Sequence, residues 1–86
     1  MGRENAIETA KRYEAVAKNL RHMALERGKT ADEVAAYLGI SRATYFARLK
    51  NPRELTLEYV GDAARLFNCQ MDVLILGTYR FTREGA

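Results

Sequence analysis

The spacing of apolar and polar residues predicts a chain built from helices. From Asn5 to Arg27 there is no glycine or proline, and residues that favour helices dominate. Apolar positions recur near every 3.6 residues in this stretch and form one stripe, with charged residues on the opposite face. The stripe consists of Ile7, Tyr13, Val16, Leu20, Met23 and Ala24. We therefore predict a long amphipathic first helix over residues 5–27, with a capping box at Asn5 and Glu8.

Capping residues predict a short second helix. Thr30 and Glu33 form a capping box directly before an apolar run, which places the helix at residues 31–38. Gly28 and Gly39 stand where the chain leaves the first and second helices, and glycine commonly supplies the left-handed residue at such points.

A third helix follows after a very short turn. Ser41 is placed to cap a helix over residues 42–50, and Asn51 ends it because the residue before Pro52 is pushed out of the helical region. Two helices therefore meet across Gly39, Ile40 and Ser41, in a central unit that spans residues 30–51.

The last third of the chain predicts two more helices and a tail. Thr56 opens a helix over residues 56–67, and a short apolar helix follows over residues 70–76. The stripe of the fourth helix consists of Leu57, Val60, Ala64 and Phe67. Tyr79 and Phe81 alternate in the tail, residues 77–86, and hint weakly at a strand. With no linker or internal repeat, the prediction is one all-α domain of five helices over residues 1–86.

The positive charge of the chain is concentrated in one segment. The net charge is +3 overall, but residues 34–53 alone carry +4 with no acidic residue, while residues 1–33 carry +1 and residues 54–86 carry −2. The basic residues of the segment are Arg42, Arg48, Lys50 and Arg53. This pattern is typical of a surface that faces a polyanion, although a charge run of this size also occurs as an ordinary solvated face.

Length and composition exclude several classes of protein. A chain of 86 residues with 48% apolar content folds as one small domain, too short for a barrel enzyme or a full dinucleotide-binding fold. The longest run of large apolar residues, residues 73–76, is far shorter than a membrane span, and no secretory signal opens the chain, so we expect a cytoplasmic protein. One cysteine and one histidine exclude an intramolecular disulfide and a four-ligand zinc site. No spacing indicates a nucleophile, a base or a phosphate-binding loop, so neither an enzyme nor a cofactor is expected.

The remaining chemically notable side chains are interpreted as structural. Tyr13, Tyr37 and Tyr59 fit the edge of a core, with the ring packed and the hydroxyl in water. His22 is expected to be an exposed polar residue. Cys69, at the turn before the last helix, is expected to be a buried and inert thiol.

Residues 31–44 resemble the helix-turn-helix of the lambda repressor and Cro-like (XRE-type) family. Ala35 is small, so that two helices can cross closely, and Gly39 takes a positive φ between them. Val34 and Leu38 are expected to pack in the angle between the helices, and Ile40 is expected to pack into the core below the turn. The resemblance covers roughly residues 16–76 and implies a five-helix DNA-binding domain with an extended first helix.

The resemblance also implies roles for individual residues. In this family the third helix lies in the major groove, and its N-terminal half contacts base edges. Carried over, the base-reading positions are Arg42, Ala43, Phe46 and Ala47. The implied phosphate contacts are Lys29, Thr30, Thr44, Arg48, Lys50 and Arg53. Arg42 suits a bidentate contact to guanine, and small apolar groups suit the thymine methyl group.

Two departures from the family pattern affect these roles. The second helix of the family usually begins with a glutamine that clamps a phosphate, whereas Ala31 stands here, so the contact is absent or comes from Thr30 or Lys29. The family also expects an aliphatic residue at Tyr45 and an apolar one at Arg48. We interpret Tyr45 and Leu49 as core residues, while Phe46 has two open alternatives: it packs inward, or it lies at the rim that faces the groove.

The fifth helix is more apolar than one domain needs. The family commonly dimerises through this helix, so the resemblance implies a homodimer with Val73, Ile75 and Leu76 at its interface. Such a dimer predicts an inverted-repeat operator, a DNA site with two half-sites about 10 to 10.5 base pairs apart. The alternative is that the tail folds back over the same patch.

These observations favour a small transcriptional regulator that binds a specific sequence of double-stranded DNA. The resemblance implies a repressor of phage or mobile-element character that occupies an operator. The alternative is a protein-interaction module, such as an antitoxin, that captures a partner with residues 1–14 or with the tail, residues 77–86. The acid-free segment 34–53 favours the first hypothesis, because an interaction module has no need to concentrate positive charge there.

Overall fold

The computed structural model describes residues 3–77, with side chains from residue 10 onward, and within that range it contains helices and no strand. The helices are α1 (Arg3–Glu26), α2 (Ala31–Leu38), α3 (Arg42–Lys50), α4 (Leu57–Phe67) and α5 (Met71–Leu76), with a 3₁₀ turn at Pro52–Glu54 between α3 and α4. The all-α prediction is confirmed. The weak strand hint at Tyr79 and Phe81 lies outside the described residues.

The predicted helix bounds agree closely with the structure except at the start of α1. Helical backbone already begins at Arg3, so Asn5 lies inside the helix and the predicted capping box with Glu8 is wrong. Local helix formers continue upstream of Asn5, and no proline or glycine after Gly2 stops the helix from extending. At the other end of the chain α5 begins at Met71, one residue later than predicted.

The predicted caps of the central unit are confirmed. The backbone N–H of Thr30 donates to Glu33 Oε1 at 2.8 Å, and the backbone N–H of Glu33 donates to Thr30 Oγ1 at 3.1 Å. The hydrogen bond from the Thr30 backbone lowers the pKa of Glu33 below its ordinary value. The ionised carboxylate therefore stabilises the start of α2 at neutral pH, and this contribution is lost as the pH falls through the lowered pKa.

Side chains from all five helices form one core. The largest fully buried side chains are Phe67, Met23, Leu74 and Val34. Polar side chains on α1 and directly after it also contact the ends of α4 and α5: Arg27 Nε donates to the carbonyl of Phe67 at 2.7 Å, and Asn19 Nδ2 donates to the carbonyl of Leu74 at 2.9 Å. α1 is thus the element against which the C-terminal helices are fixed.

One position of the predicted α4 stripe is wrong. Val60, Ala64 and Phe67 are buried, but Leu57 is 72% exposed, and Tyr59 and Ala63 are buried beside the others. At 100° per residue the buried arc is centred about 90° away from Leu57, which therefore lies at its edge.

Candidate nucleic-acid interface

The turn between α2 and α3 has the geometry that its residues predict. Gly39 has a φ of +73°, and the backbone N–H of Ile40 donates to the carbonyl of Ala35 at 3.0 Å. A Cβ added at Gly39 would meet nothing within 4 Å, so the backbone conformation rather than lack of space favours glycine there. Val34 and Ala35 are buried, while Ile40 is half-buried against the core. These contacts fix the angle at which α3 leaves the domain.

α3 presents one face to the core and one to the outside. Tyr45 and Leu49 are buried, which confirms the interpretation of both as core residues. Phe46 is 46% exposed, so the open question about its direction is answered in favour of the outer face. The exposed residues of α3 are Arg42, Ala43, Phe46, Ala47 and Lys50, and the half-buried ones are Thr44 and Arg48.

Arg42, the first residue of α3, is exposed and contacts two neighbouring side chains. Its Nε lies 3.7 Å from Asp32 Oδ1 of α2, and its Cζ lies 5.6 Å from the centroid of the Phe46 ring. Both charged side chains of the ion pair are largely exposed, so the pair contributes little to stability and leaves Arg42 accessible. Sequence reasoning missed Asp32 as a neighbour of Arg42, because nothing local links a residue on α2 to one on α3.

The hydroxyl groups at the start of α3 are engaged with each other. Ser41 Oγ accepts a hydrogen bond from the backbone N–H of Thr44 at 3.0 Å and donates to Thr44 Oγ1 at 3.0 Å. Ser41 therefore caps the helix as predicted, and its donor is in use. The Thr44 hydroxyl keeps its own hydrogen for a further acceptor.

Apart from Thr44 and Arg48, which lie within α3, the residues with implied phosphate contacts lie at or near the two ends of the helix-turn-helix unit along the chain. Thr30 is exposed and Lys29 half-buried at the start of α2, while Lys50 and Arg53 are exposed at the end of α3 and in the turn after it. The backbone N–H of Thr30 is taken by Glu33, which leaves the hydroxyl hydrogen of Thr30 as its available donor. The exposed cations of this set outside the first turn of α3, Lys50 and Arg53, thus lie at the end of α3 and directly after it.

Comparison with known protein families identifies the family of this domain. A family model described as helix-turn-helix matches residues 20–74, well over half of the chain. The chain belongs to the lambda repressor/Cro-like helix-turn-helix family. No curated protein and no solved structure gives a significant match.

The family match leaves most of α1 outside it, yet this part belongs to the domain. Val16 and Ala17 precede residue 20 and are buried in the core, and Asn19 donates to the carbonyl of Leu74. The helix-turn-helix domain of this chain is therefore extended at its N-terminal side by a helix that packs against α5.

Arg48 is the family position where an apolar residue was expected, and the structure shows what it contacts. Its Cζ lies 5.3 Å from the centroid of the Tyr59 ring, so the guanidinium is stacked on α4 at the border of the interface.

The Tyr59 hydroxyl is buried. Among the described residues, it is the one buried side-chain polar atom that has no hydrogen-bond partner. The expectation of a solvated hydroxyl at Tyr59 is therefore wrong, because the 3₁₀ turn and α4 bring the ring inward. Burial raises the pKa of Tyr59 to about 12.

The other side chains interpreted as structural differ in outcome. Tyr13 is half-buried, as expected at the edge of a core, whereas Tyr37 is 48% exposed and Cys69 is less buried than expected. Cys69 is half-buried, and burial raises the pKa of its thiol, which disfavours the reactive thiolate. His22 is exposed. Within residues 3–77 no group of three or more His, Cys, Asp and Glu residues is placed to hold a metal ion. None of the described helices has the length and apolar character to span a membrane.

The unpaired hydroxyl at Tyr59 leads to a stability prediction. Tyr59→Phe removes a buried polar group that has no partner and keeps the ring under Arg48, so the free energy of unfolding is expected to rise by about 1 kcal/mol. Urea unfolding measures this change. Tyr45→Phe is the control, because Tyr45 is also buried but its hydroxyl is not among the unpaired buried atoms, and no gain is expected there. A loss of stability in Tyr59→Phe would contradict the prediction.

Proposed function

We propose that this helix-turn-helix protein binds a specific sequence of double-stranded DNA and acts as a small transcriptional repressor by occupying an operator. Its family is one of DNA-binding regulators. The observation that carries the proposal is the outer face of α3, where an accessible arginine and Lys50 are exposed together with apolar side chains. The four basic residues of segment 34–53 lie on α3 and in the turn directly after it. The phage or mobile-element character rests on the resemblance alone.

In this proposal α3 lies in the major groove. Arg42 contacts a guanine, and Ala43, Phe46 and Ala47 contact neighbouring base edges. The residues proposed to bind phosphates are Lys29, Thr30, Thr44, Arg48, Lys50 and Arg53. The phosphate contacts position the domain on the duplex, whereas the base contacts select the sequence.

A binding selection from random duplexes, repeated across salt concentrations, tests the function. We expect enrichment of a defined sequence and an affinity that falls steeply with salt, with log K changing by about −0.9 per unit of log salt for each phosphate neutralised. A selection that enriches no sequence, even at low salt, contradicts sequence-specific DNA binding.

We further propose a homodimer formed through α5, with Val73, Ile75 and Leu76 at the interface. Leu74 faces the core, Val73 and Ile75 are half-buried against it, and Leu76 is 59% exposed. The exposed and half-buried groups together leave an apolar surface at this end of the domain. A dimer places two α3 helices on an inverted-repeat operator with half-sites about 10 to 10.5 base pairs apart.

Leu76→Glu is expected to raise the dimer dissociation constant at least about tenfold, because it places a charge in an apolar contact. Sedimentation at micromolar concentration measures this, with and without operator DNA. Leu25→Glu is the matched control, since Leu25 is 79% exposed on α1 and lies outside the proposed interface. A wild-type chain that sediments only as a monomer in both conditions contradicts the dimer.

A second candidate is a protein-interaction module of the antitoxin kind. It is supported by a groove of about 470 Å³ between α1 and α4, which is lined by Arg12, Tyr13, Val16, Leu55, Thr56, Leu57, Val60 and Ile75. Of the segments suggested as capturing a partner, residues 78–86 lie outside the described residues, and so do the side chains of residues 1–9. The selection experiment separates the two candidates, because a pure interaction module enriches no duplex.

A further inference from the structure

The outer surface of α3 offers mostly apolar groups to a base. Ala43, Phe46 and Ala47 are exposed and carry no hydrogen-bonding side chain. The hydroxyls of Ser41 and Thr44, at the start of the helix, are bonded to each other. Among residues 42–47 of α3, Arg42 is the side chain that carries N–H donors.

Phe46 is held in place rather than loosely exposed. Its ring centroid lies 5.4 Å from that of the buried Tyr45, with the planes tilted by 59°, and the Arg42 guanidinium covers it at 5.6 Å. Nearly half of the side chain is still accessible. Arg42 and Phe46 thus form a contact pair in which an accessible apolar ring lies directly beside a forked cation.

The major groove contains a matching pair of groups. The thymine methyl group is the apolar feature that a base pair presents there, and the O6 and N7 atoms of guanine are the preferred acceptors for arginine. Successive bases are about 3.4 Å apart along a strand. The Arg42 Cζ and the centroid of the Phe46 ring are 5.6 Å apart, so these two side chains are spaced to reach neighbouring base pairs.

We propose that α3 reads a thymine methyl group beside a guanine. Phe46 packs against the 5-methyl group, and Arg42 donates two hydrogen bonds to O6 and N7 of the adjacent guanine. This inference rests on the proposed DNA-binding function and adds the chemistry that is recognised: the pyrimidine is read by its methyl group and not by its hydrogen-bonding edge. A 5-methylcytosine in the same place satisfies Phe46 equally.

Replacement of thymine by uracil tests this, because uracil lacks the methyl group and keeps every hydrogen-bonding atom. The sequence selected from random duplexes is resynthesised with dU in place of dT, one position at a time, and bound to the full chain. We expect about fourfold weaker binding at the thymine next to the contacted guanine, from about 0.8 kcal/mol per buried methyl-sized group. At this position Phe46→Ala is expected to bind the dT and dU duplexes equally. Phe46→Leu is the matched control and keeps a preference for dT.

A second pair of duplexes, with dC or 5-methyl-dC at the same position, isolates the methyl group on a different base. The methylated duplex is expected to bind about fourfold more tightly to the wild-type chain and no more tightly to Phe46→Ala. Enrichment of a specific sequence with no dT/dU difference at any position overturns this inference and leaves the proposed function standing. A dT/dU difference that is unchanged in Phe46→Ala overturns it as well. A selection that enriches no duplex overturns both.

Discussion

Arg42→Ala is expected to weaken the best DNA site by about 1–3 kcal/mol and to relax the sequence preference, while random duplexes lose much less. Arg42 is the exposed donor at the start of α3, and its side chain is held by Asp32 and Phe46 in a position that faces outward. Fold stability is expected to stay nearly unchanged, since the ion pair with Asp32 is exposed. Fluorescence anisotropy against the selected duplex and a scrambled one measures both effects.

Lys50→Ala is the matched control for Arg42→Ala. Lys50 is also an exposed cation of α3, but it lies in the last turn, where a phosphate contact is proposed. Its loss is expected to weaken all duplexes alike and to reduce the salt slope by about one unit. If Arg42→Ala weakens selected and scrambled duplexes by the same factor, Arg42 contacts phosphate and does not read a base.

Phe67→Ala is expected to lower the free energy of unfolding by about 3–5 kcal/mol and the Tm by more than about 10 °C. Phe67 is 1% exposed and is among the largest fully buried side chains of the core. Its backbone carbonyl still accepts the hydrogen bond from Arg27, so the loss reports the cavity left by the ring. Thermal and urea unfolding measure it.

Phe46→Ala is the control for Phe67→Ala, since the same substitution is made at a ring that is 46% exposed. It is expected to change the free energy of unfolding by less than about 1 kcal/mol, because little apolar surface is removed from the core. For DNA binding the order is reversed: Phe46→Ala is expected to lower the affinity for the selected duplex more than Phe67→Ala does. A Phe46→Ala variant as unstable as Phe67→Ala would place Phe46 in the core and contradict the outward assignment.

Most of the fold was predictable from local signals. The capping box at Thr30 and Glu33, the cap at Ser41 and the left-handed Gly39 all stand where the sequence predicts them. Each of these features involves residues within about four positions of one another, so no knowledge of the tertiary structure is needed to recognise them. The start of α1 was mispredicted because Asn5 forms a plausible cap within a stretch that is helical on both sides.

The candidate site was predictable in its position and less so in its detail. Its residues follow from the resemblance and the charge of segment 34–53, and the structure keeps Arg42 and Phe46 on the outer face. Periodicity alone left Phe46 undecided, because it lies on the helix between the buried Tyr45 and the exposed Ala47. Its direction depends on how α3 is rotated against the core.

The sequence by itself determined the order of the helices, the caps of α2 and α3, the family and the concentration of positive charge around α3. Only the tertiary structure decided that Arg42 lies between Asp32 and Phe46, that Arg48 stacks on Tyr59, and that the Tyr59 hydroxyl is buried. The first group depends on contacts between residues a few positions apart along the chain. The second depends on the angles between helices and the rotation of each about its axis, which are set by the packing of the whole core.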